Sequence, residues 1–186
     1  GCLIAAPSAN TSGRPSPTEA AHVAEDLSGK IAMIIDGGPV GIGIESTIID
    51  LTEDTPMVLR PGYITPQMLS KVLGKEVIID PGIIAADDTR KPKAPGMKYK
   101  HYAPKADMAI VDGTRKHVIA KINELVASLR DDGKKIAVIA TEETKQFYDA
   151  DVVLSMGSRA DEDSIAHELY RILRDCDELD VDVIFS

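Results

Sequence analysis

The chain has 186 residues and is 44 % hydrophobic, so it is a globular protein of one domain or two small ones and not a disordered chain. It holds no apolar run of about 18 residues, so the sequence does not predict a transmembrane helix. The net charge of −9 excludes non-specific nucleic-acid binding through the whole surface.

The first half of the chain predicts short helices and strands between turns rich in Gly and Pro. Ser16, Pro17 and Glu19 form a capping-box pattern, in which Ser16 caps a helix whose first residue is Pro17. Apolar runs and alternating stretches predict the strands. The predicted elements are a helix at 17–27, strands at 31–35, 44–51 and 57–60, a helix at 66–73 and a strand at 77–79.

The second half alternates strands with helices. Six apolar residues between Val118 and Leu129 recur at helical spacing and predict an amphipathic helix, and the run IAVIA at 136–140 predicts a buried strand. This alternation favours a parallel sheet with helices on its faces. The predicted elements are strands at 108–111, 136–140, 152–154 and 181–185 and helices at 118–129, 142–148 and 165–176.

A basic segment, RKPKAPGMKYKHYAPK at residues 90–105, separates the two halves. Residues 83–106 carry six Lys and Arg against two Asp, a local charge of +4 in an acidic chain. Its three prolines exclude a long helix and a central strand, so we predict a stiff linker that contacts an anionic group such as a phosphate. The predicted boundaries are therefore 1–82 for a first domain, 83–106 for the linker and 107–186 for a second domain.

Cysteine and histidine usage predicts neither disulfides nor a metal site. Cys2 and Cys176 are the two cysteines, and they fit a reducing compartment and two small buried groups. The four histidines are dispersed and have no metal-ligand spacing.

Both ends of the chain lie inside apolar, strand-like runs. Since domains seldom end within a strand, we expect a fragment of a longer protein, or a shortened version of one. An unpaired sheet edge would then favour a homodimer through that edge.

Polar residues concentrate in the sequence AAPSANTSGRPSPT at 5–18, where five hydroxyl groups, Asn10 and Gly13 fall within fourteen residues. Hydroxyls and free backbone N–H groups at a helix start form anion sites. The same residue types are also ordinary in capped loops. The pattern by itself leaves both interpretations open.

Four motifs in order resemble the Sua5/YrdC family. They are PSAN, SG and SPT within residues 7–18, ESTIID at 45–50, RPG at 60–62 and GMKYKHYAP at 96–104. The basic segment and the half that follows it resemble the long Sua5 form and not the single-domain YrdC form. The resemblance implies an α/β fold, with a partial YrdC-like α/β domain and a small Rossmann-like parallel α/β domain joined by a Pro-rich linker. The resemblance further implies that residues 1–82 are the C-terminal part of the catalytic domain, and that the N-terminal half of this domain and the extreme C-terminus of the family are missing.

The resemblance implies a cytoplasmic nucleotidyltransferase. Members make L-threonylcarbamoyladenylate from L-threonine, bicarbonate and ATP, with Mg²⁺ on the phosphates, for the N6-threonylcarbamoyl modification of adenosine 37 in tRNA. The implied partners are these three substrates and tRNA or tRNA-modification proteins. No membrane partner is implied.

Binding roles transfer by the matched motifs. ATP-binding roles are implied for Ser8, Ser16, Arg60 and Tyr102. Threonine-binding roles are implied for Ala6, by its backbone, and Ser46. Supporting roles are implied for Asn10, Thr47 and Tyr99. No nucleophilic side chain and no metal ligand is implied.

Each residue also has an ordinary structural explanation when taken singly. Ser46 and Thr47 suit an exposed strand surface, Arg60 suits a solvated turn, and Tyr99 and Tyr102 suit packing anchors. Together and in this order, the motifs favour the site.

Two further stretches invite a ligand-binding interpretation. The Gly-rich turn at 37–43 lacks the third glycine of a dinucleotide loop and the GK[ST] of a P-loop, so we predict a hairpin or a loop that needs positive φ. Residues 111–114 follow the first strand of the second domain, where such folds often bind ligands. They lack a dinucleotide fingerprint and lie in a domain of charge −8, which favours packing or regulation.

The family also uses a basic cluster that binds triphosphate, and the basic residues of the first half do not reproduce it. We therefore expect the chain to be incompetent for catalysis by itself. The alternative is a non-catalytic module that binds nucleotide or RNA, or that has a regulatory role; direct RNA binding would use the lysines of the basic segment.

Overall fold

The computed structural model describes residues 1–84 and 103–186, and the described residues divide into two compact units. One unit comprises residues 1–43 with 103–186, and the other comprises residues 44–84. Most of the basic segment lies outside the described residues, so the domain boundaries predicted at 82/83 and 106/107 stay a prediction.

The first unit is built on a four-stranded parallel sheet whose strands are β4 (Asp107–Ala109), β5 (Ile136–Ala140), β6 (Val152–Ser155) and β7 (Val183–Phe185). Their order across the sheet is β4-β7-β5-β6. Two long helices, α4 (Arg115–Asp131) and α5 (Glu162–Glu178), connect them, and a 3₁₀ turn at Lys145–Phe147 precedes β6. The parallel sheet predicted from the alternation is confirmed.

Helices α4 and α5 cover opposite faces of the sheet. Alternate residues of β5 divide between two apolar clusters: Ile136, Val138 and Ala140 pack with Ile122 and Val126 of α4. Ala137 and Ile139 pack with the α5 residues Tyr170, Ile172, Leu173 and Cys176. Strand side chains alternate between faces, so a strand buried on both faces reads as one continuous apolar run. The short run IAVIA was recognisable for that reason.

Helix α1 (Ala20–Leu27) also belongs to the first unit, and it begins later than the capping box predicts. Its N-cap is Glu19, in an extended conformation with φ −142° and ψ 158°. The backbone N–H of Thr18 donates to His22 Nδ1 and the Thr18 carbonyl accepts from Val40 N, which holds this residue outside the helix. The prediction of a helix start at Pro17 was therefore wrong.

The apolar run at 31–35 is not a strand. Met33 is 72 % exposed and Ile35 is 85 % exposed. Among residues 1–84 and 103–186, the run has no neighbouring strand with which to pair. A short apolar run predicts a buried strand only if a sheet edge is available to it, and the sequence does not carry that information.

The second unit contains a three-stranded mixed sheet, β1 (Ile48–Asp50), β2 (Met57–Arg60) and β3 (Ile78–Ile79). Strand β1 pairs antiparallel with β2, and β2 pairs parallel with β3. Helix α2 (Pro66–Leu73) forms the crossover, and the short helix α3 (Pro81–Ile84) follows β3. The strand predicted at 44–51 is shorter than expected, because only its last part pairs with β2.

Helix α2 has the capping residues that its sequence predicts. Thr65 Oγ1 accepts from Met68 N at 3.3 Å, Pro66 is the first helical residue, and Gly74 ends the helix with φ 64°. We expect Thr65→Ala to lower the free energy of unfolding by about 1 kcal/mol, because one N–H of the first turn loses its acceptor. Urea unfolding followed by circular dichroism would measure it. Thr65→Ser keeps a capping hydroxyl and should retain most of the stability; an equal loss in both variants would contradict the capping role.

The two cysteines differ in their surroundings. Cys176 lies on the core-facing side of α5 and is buried. Burial raises the pKa of its thiol to about 12, so it is an inert packing group. Cys2 is exposed, which corrects the prediction that both are buried.

Within the described parts of the chain, no helix is long and apolar enough to cross a membrane.

Candidate functional site

The signature loop, residues 7–18, is shaped by its own side chains. Ser8 Oγ donates to Asn10 Oδ1 at 2.5 Å. The Asn10 amide donates in turn to the carbonyls of Thr11 at 2.9 Å and Arg14 at 3.2 Å. Ala9 has φ 58°, which marks a tight turn between the bonded residues. Asn10 therefore links Ser8 to Thr11 and Arg14 within the loop, and its supporting role in a binding site stays a prediction.

The predicted ligand-binding residues of the signature loop and the segment before it are accessible. Ala6 and Ser8 are exposed, and Ser16 is half-buried between the buried Pro15 and the half-buried Pro17. The absence of a helix at Pro17 changes the expected electrostatics, because the first-turn N–H groups of α1 begin three residues after Pro17, at Ala20.

A buried charge cluster anchors the signature loop. Asp26 accepts from Thr11 N at 3.0 Å and from Arg14 Nη1 at 2.5 Å. Arg174 Nη2 also donates to Asp26, at 2.8 Å, and both side chains have 0 % exposure. Burial acts to raise the pKa of Asp26, but the hydrogen bonds from Arg174 and Thr11 outweigh it and hold the pKa below its ordinary value. Asp26 therefore stays ionised.

His22 fixes the end of the signature loop. It is 3 % exposed, and its Nδ1 accepts from the Thr18 N–H at 3.2 Å, so the proton of the neutral ring is on Nε2. Burial lowers the pKa of His22, and the positive charge of Arg174 lowers it further. The facing carboxylates of Glu19, Asp175 and Glu178 oppose this shift without cancelling it.

The His22 environment predicts a loss of stability in acid. The folded pKa lies below the ordinary value of 6.5, so the unfolded chain binds the proton more readily between these two values. We expect the contribution of neutral His22 to the free energy of unfolding to be complete above pH 6.5. This contribution should be lost as the pH falls from 6.5 through the pKa of the folded state. Urea unfolding at pH 5 to 8 would measure the change. His22→Gln keeps an acceptor without titrating and should flatten this part of the profile; an unchanged profile in the variant would exclude His22 as the cause.

In the second unit the structure brings Arg60, Ser46 and Glu45 together. The Arg60 guanidinium donates from Nε to the Ser46 carbonyl and from Nη2 to Ser46 Oγ, both at 3.1 Å. Nη2 also lies 3.4 Å from Glu45 Oε2. Arg60 is the last residue of β2 and pairs across the sheet with Ile48 of β1, which places the two motifs side by side. The pairing therefore brings the ESTIID and RPG motifs next to each other, and the ligand roles predicted for them stay predictions.

Thr47 and Gly62 hold the backbone around Ser46. Thr47 Oγ1 donates to the Ile64 carbonyl at 2.7 Å. Gly62 packs directly on residues 45–47, so closely that a Cβ at this position would lie 2.6 Å from Thr47 N. A glycine is required here by close approach of two backbone segments. Thr47 therefore joins the segment that carries Ser46 to the chain after Gly62, and its supporting role in a binding site stays a prediction.

The predicted residues fall into two groups in different units. Ala6, Ser8, Asn10 and Ser16 belong to the first unit, and Ser46, Thr47 and Arg60 belong to the second. Tyr99 and Tyr102 lie outside the described residues, and so do the lysines of the basic segment other than Lys105.

Several structurally central residues were missed by the motif reasoning. They are Glu45, His22, Asp26 and Arg174. Glu45 is adjacent to the predicted Ser46 and could have been included. The other three carried no local signal, since a His or Asp within a helix is ordinarily a solvated residue and Arg174 acts on a loop 159 residues away.

A cavity with a volume of about 310 Å³ lies at the carboxyl edge of the parallel sheet. It is lined by residues 110–113 and by the Thr141–Thr144 turn after β5, among others. Arg115 lines it too; its guanidinium donates to the Glu143 carbonyl at 2.6 Å and lies 5.4 Å from the Phe147 ring centre. A hydrogen bond from Ser158 holds the pKa of Glu143 at about 2. Three residues of the stretch at 111–114, namely residues 111–113, thus line this cavity.

The Gly-rich turn at 37–43 is a loop, as predicted. Gly38 has φ 86°, and its N–H donates to Asp36 Oδ1 at 2.8 Å. Gly43 N donates to the Ala166 carbonyl of α5 at 3.0 Å. The backbone N–H of Gly43 thus attaches the end of this loop to helix α5.

No group of three or more His, Cys, Asp or Glu side chains able to hold a metal ion occurs among residues 1–84 and 103–186.

Comparison with known proteins identifies relatives along the whole chain. A family model described as threonylcarbamoyl-AMP synthase, C-terminal domain, matches residues 64–186, and one described as telomere recombination matches residues 1–62. The threonylcarbamoyl-AMP synthase of Bacillus subtilis is 47 % identical over 186 residues, which is all of this chain and 52 % of the relative. That of Pyrococcus abyssi is 50 % identical over 184 residues, covering 98 % of this chain and 52 % of the relative.

A solved structure shows the same fold. The crystal structure of P. abyssi Sua5 complexed with L-threonine matches with a TM-score of 0.83 and 48 % identity, covering 96 % of this chain and 50 % of that one. The chain spans about half the length of the curated relatives it matches. The fold and the motifs agree with these matches, and the chain belongs to the Sua5/YrdC family.

Proposed function

We propose that this chain is part of an L-threonylcarbamoyladenylate synthase, a nucleotidyltransferase that acts in the threonylcarbamoyl modification of tRNA. The observation that carries the proposal is the 48 % identity, over 96 % of this chain, to a Sua5 structure complexed with L-threonine. The ESTIID, RPG and signature-loop motifs, whose side chains are described above, lie within residues 1–62, which match a model of the same family.

The proposed reaction needs no nucleophilic side chain. The threonine amine and bicarbonate form a carbamate with loss of water. A carbamate oxygen attacks the α-phosphorus of ATP, the bond from that phosphorus to the bridging oxygen breaks, and pyrophosphate leaves with the electron pair. The protein would contribute positioning and stabilisation of the phosphate charge.

The Arg60 guanidinium is suited to a phosphate. It is planar, remains charged and presents several N–H groups in one plane. It is held by Ser46 and Glu45, with its side chain 16 % exposed, so its orientation is set before a ligand arrives. We propose that Arg60, Ser8, Ser16 and Tyr102 bind ATP, that Ala6 and Ser46 bind threonine, and that Asn10, Thr47 and Tyr99 support them.

Mg²⁺ would enter bound to the phosphates of ATP. The described residues do not fit a protein-held ion, because they lack a cluster of three metal-ligating side chains. When bound, Mg²⁺ supplies charge neutralisation on the phosphates.

Further parts of the proposal concern location and partners. A modification of tRNA and the predicted reducing surroundings of the cysteines favour the cytoplasm. tRNA or tRNA-modification proteins would receive the adenylate, and a homodimer would form through an unpaired sheet edge.

The test is pyrophosphate release from ATP that depends on both threonine and bicarbonate. It should be measured on this chain and on a version extended upstream. Release by the extended version alone would support the proposed enzyme and the incompetence of this chain. Absence of release from both would overturn the proposed activity and favour the non-catalytic module. A steep loss of RNA affinity with rising salt would identify direct RNA binding as that module's role, and a flat response would exclude it.

A further inference from the structure

Helix α5 carries two buried charged residues one turn apart, Arg174 and Asp177. The Arg174 side chain is fully buried. A buried guanidinium is costly unless it is paired and hydrogen-bonded, so its partners indicate what the residue does.

Arg174 holds the backbone of the signature loop. Its Nε donates to the Pro15 carbonyl at 3.0 Å, and its Nη2 donates to the same oxygen at 2.6 Å. Because the peptide unit is planar, fixing the Pro15 carbonyl also fixes the direction of the Ser16 N–H. Ser16 is the residue next to this anchor and carries a predicted phosphate contact.

Asp26 completes the anchor. It accepts from Arg174 and also from Thr11 N and Arg14, so the loop is held at residues 11, 14 and 15. Each of these three points bonds to Arg174 or Asp26, and Arg14 also pairs with Glu25 and Asp177. Within the loop itself there are the short bonds of Asn10 and a backbone bond from Arg14 N to the Thr11 carbonyl at 3.3 Å.

Asp177 extends the same arrangement to the end of the basic segment. Its Oδ1 accepts from Lys105 N at 2.7 Å, and its Oδ2 lies 3.7 Å from Arg14 Nη2. One face of α5 therefore contacts two motifs that are far apart in sequence, the signature loop and the last residue of the basic segment.

We propose that α5 is a positioning element for nucleotide binding, in which Arg174 and Asp177 hold the signature loop and the end of the basic segment in their binding arrangement. The C-terminal α/β domain, which contains α5, thereby sets the affinity of the signature loop for ATP without contacting ATP itself. The identity of the ligand rests on the function proposed above, whereas the anchoring of the loop does not.

The test compares Arg174→Met, which keeps the length of the side chain and removes its donors, with Ile172→Ala. Ile172 lies on the core face of α5, so its variant destabilises the helix without touching the loop. Amide hydrogen exchange is measured at Thr11–Arg14 and Ser16, and ATP and L-threonine affinities are measured on the upstream-extended protein by calorimetry.

We expect faster exchange in the loop and an ATP dissociation constant raised about tenfold or more in Arg174→Met, as for other displaced binding groups. The threonine dissociation constant should stay within about twofold, a difference that general destabilisation would not produce. Ile172→Ala should leave loop exchange and the ATP-to-threonine affinity ratio unchanged. Arg174→Lys, which cannot make the forked contact to Pro15, should resemble Arg174→Met and not the wild type.

Unchanged loop exchange in Arg174→Met would overturn the proposal, and so would faster exchange with unchanged ATP affinity. Failure of the wild-type extended protein to bind ATP would overturn the proposed function instead, and the exchange data would then decide the anchoring alone. If Arg174→Met does not fold, the double variant with Asp26→Asn removes the unpaired buried charge. Asp177→Asn tests the other half of the helix face, with the same outcomes.

Discussion

Gly62→Ala is expected to destabilise the second unit by about 2–3 kcal/mol and to weaken ATP binding in the upstream-extended protein. A Cβ at this position would lie 2.6 Å from Thr47 N and 2.8 Å from the carbonyl carbon of Ser46. Both are backbone atoms, so a rotamer change cannot relieve the clash and one of the two backbone segments must shift. The shift separates Ser46 from Arg60, whose guanidinium depends on the Ser46 carbonyl and hydroxyl for its orientation.

Urea unfolding followed by circular dichroism measures the stability, and calorimetry measures ATP affinity. Gly37→Ala is the matched control, because Gly37 has open space around it and no positive φ. It should cost far less and leave ATP affinity unchanged. Equal effects of the two substitutions would show that the close approach at Gly62 is not what requires glycine.

Arg60→Ala is expected to weaken ATP binding by about 1.5–3 kcal/mol, or about 10- to 150-fold, because the charged donor proposed to bind phosphate would be lost. Threonine affinity should fall less, since Ser46 remains. The measurement is calorimetric titration of ATP and of threonine into the upstream-extended protein.

Lys75→Ala removes an equal charge from an exposed position of the same unit and should leave ATP affinity within about twofold, since exposed charges are screened. Arg60→Lys should recover part of the loss, because Lys keeps the charge and lacks the planar fork. Unchanged ATP affinity in Arg60→Ala would remove Arg60 from the nucleotide site.

Where local pattern and burial coincide, the sequence was sufficient. The run IAVIA is buried at every position of β5, and the stripes of α4 and α5 occupy the two sides of the sheet that the alternation predicted. The cap at Thr65 is local chemistry and formed as expected. Each of these features is determined by residues a few positions apart.

Prediction failed where a distant partner decides the local structure. The Ser16–Pro17 pattern predicts a helix start, but the helix begins later because Thr18 is bonded to His22 and to Val40. The run at 31–35 has the composition of a buried strand and lies exposed, because a strand needs a neighbour as well as a pattern. Sequence propensity is a weak determinant beside such tertiary contacts.

The candidate site also combines features that nearby residues determine with features that distant residues determine. The sequence by itself determined the family, the α/β class and the motifs that carry Ser8, Ser16, Ser46 and Arg60, because chemistry of this kind needs particular side chains within short segments. The tertiary structure alone decided that Arg60 is oriented by Ser46 and Glu45, and that Arg174 anchors a loop 159 residues away. A buried charge must find its partner wherever the fold brings one within hydrogen-bond distance, and no spacing in the sequence records that meeting.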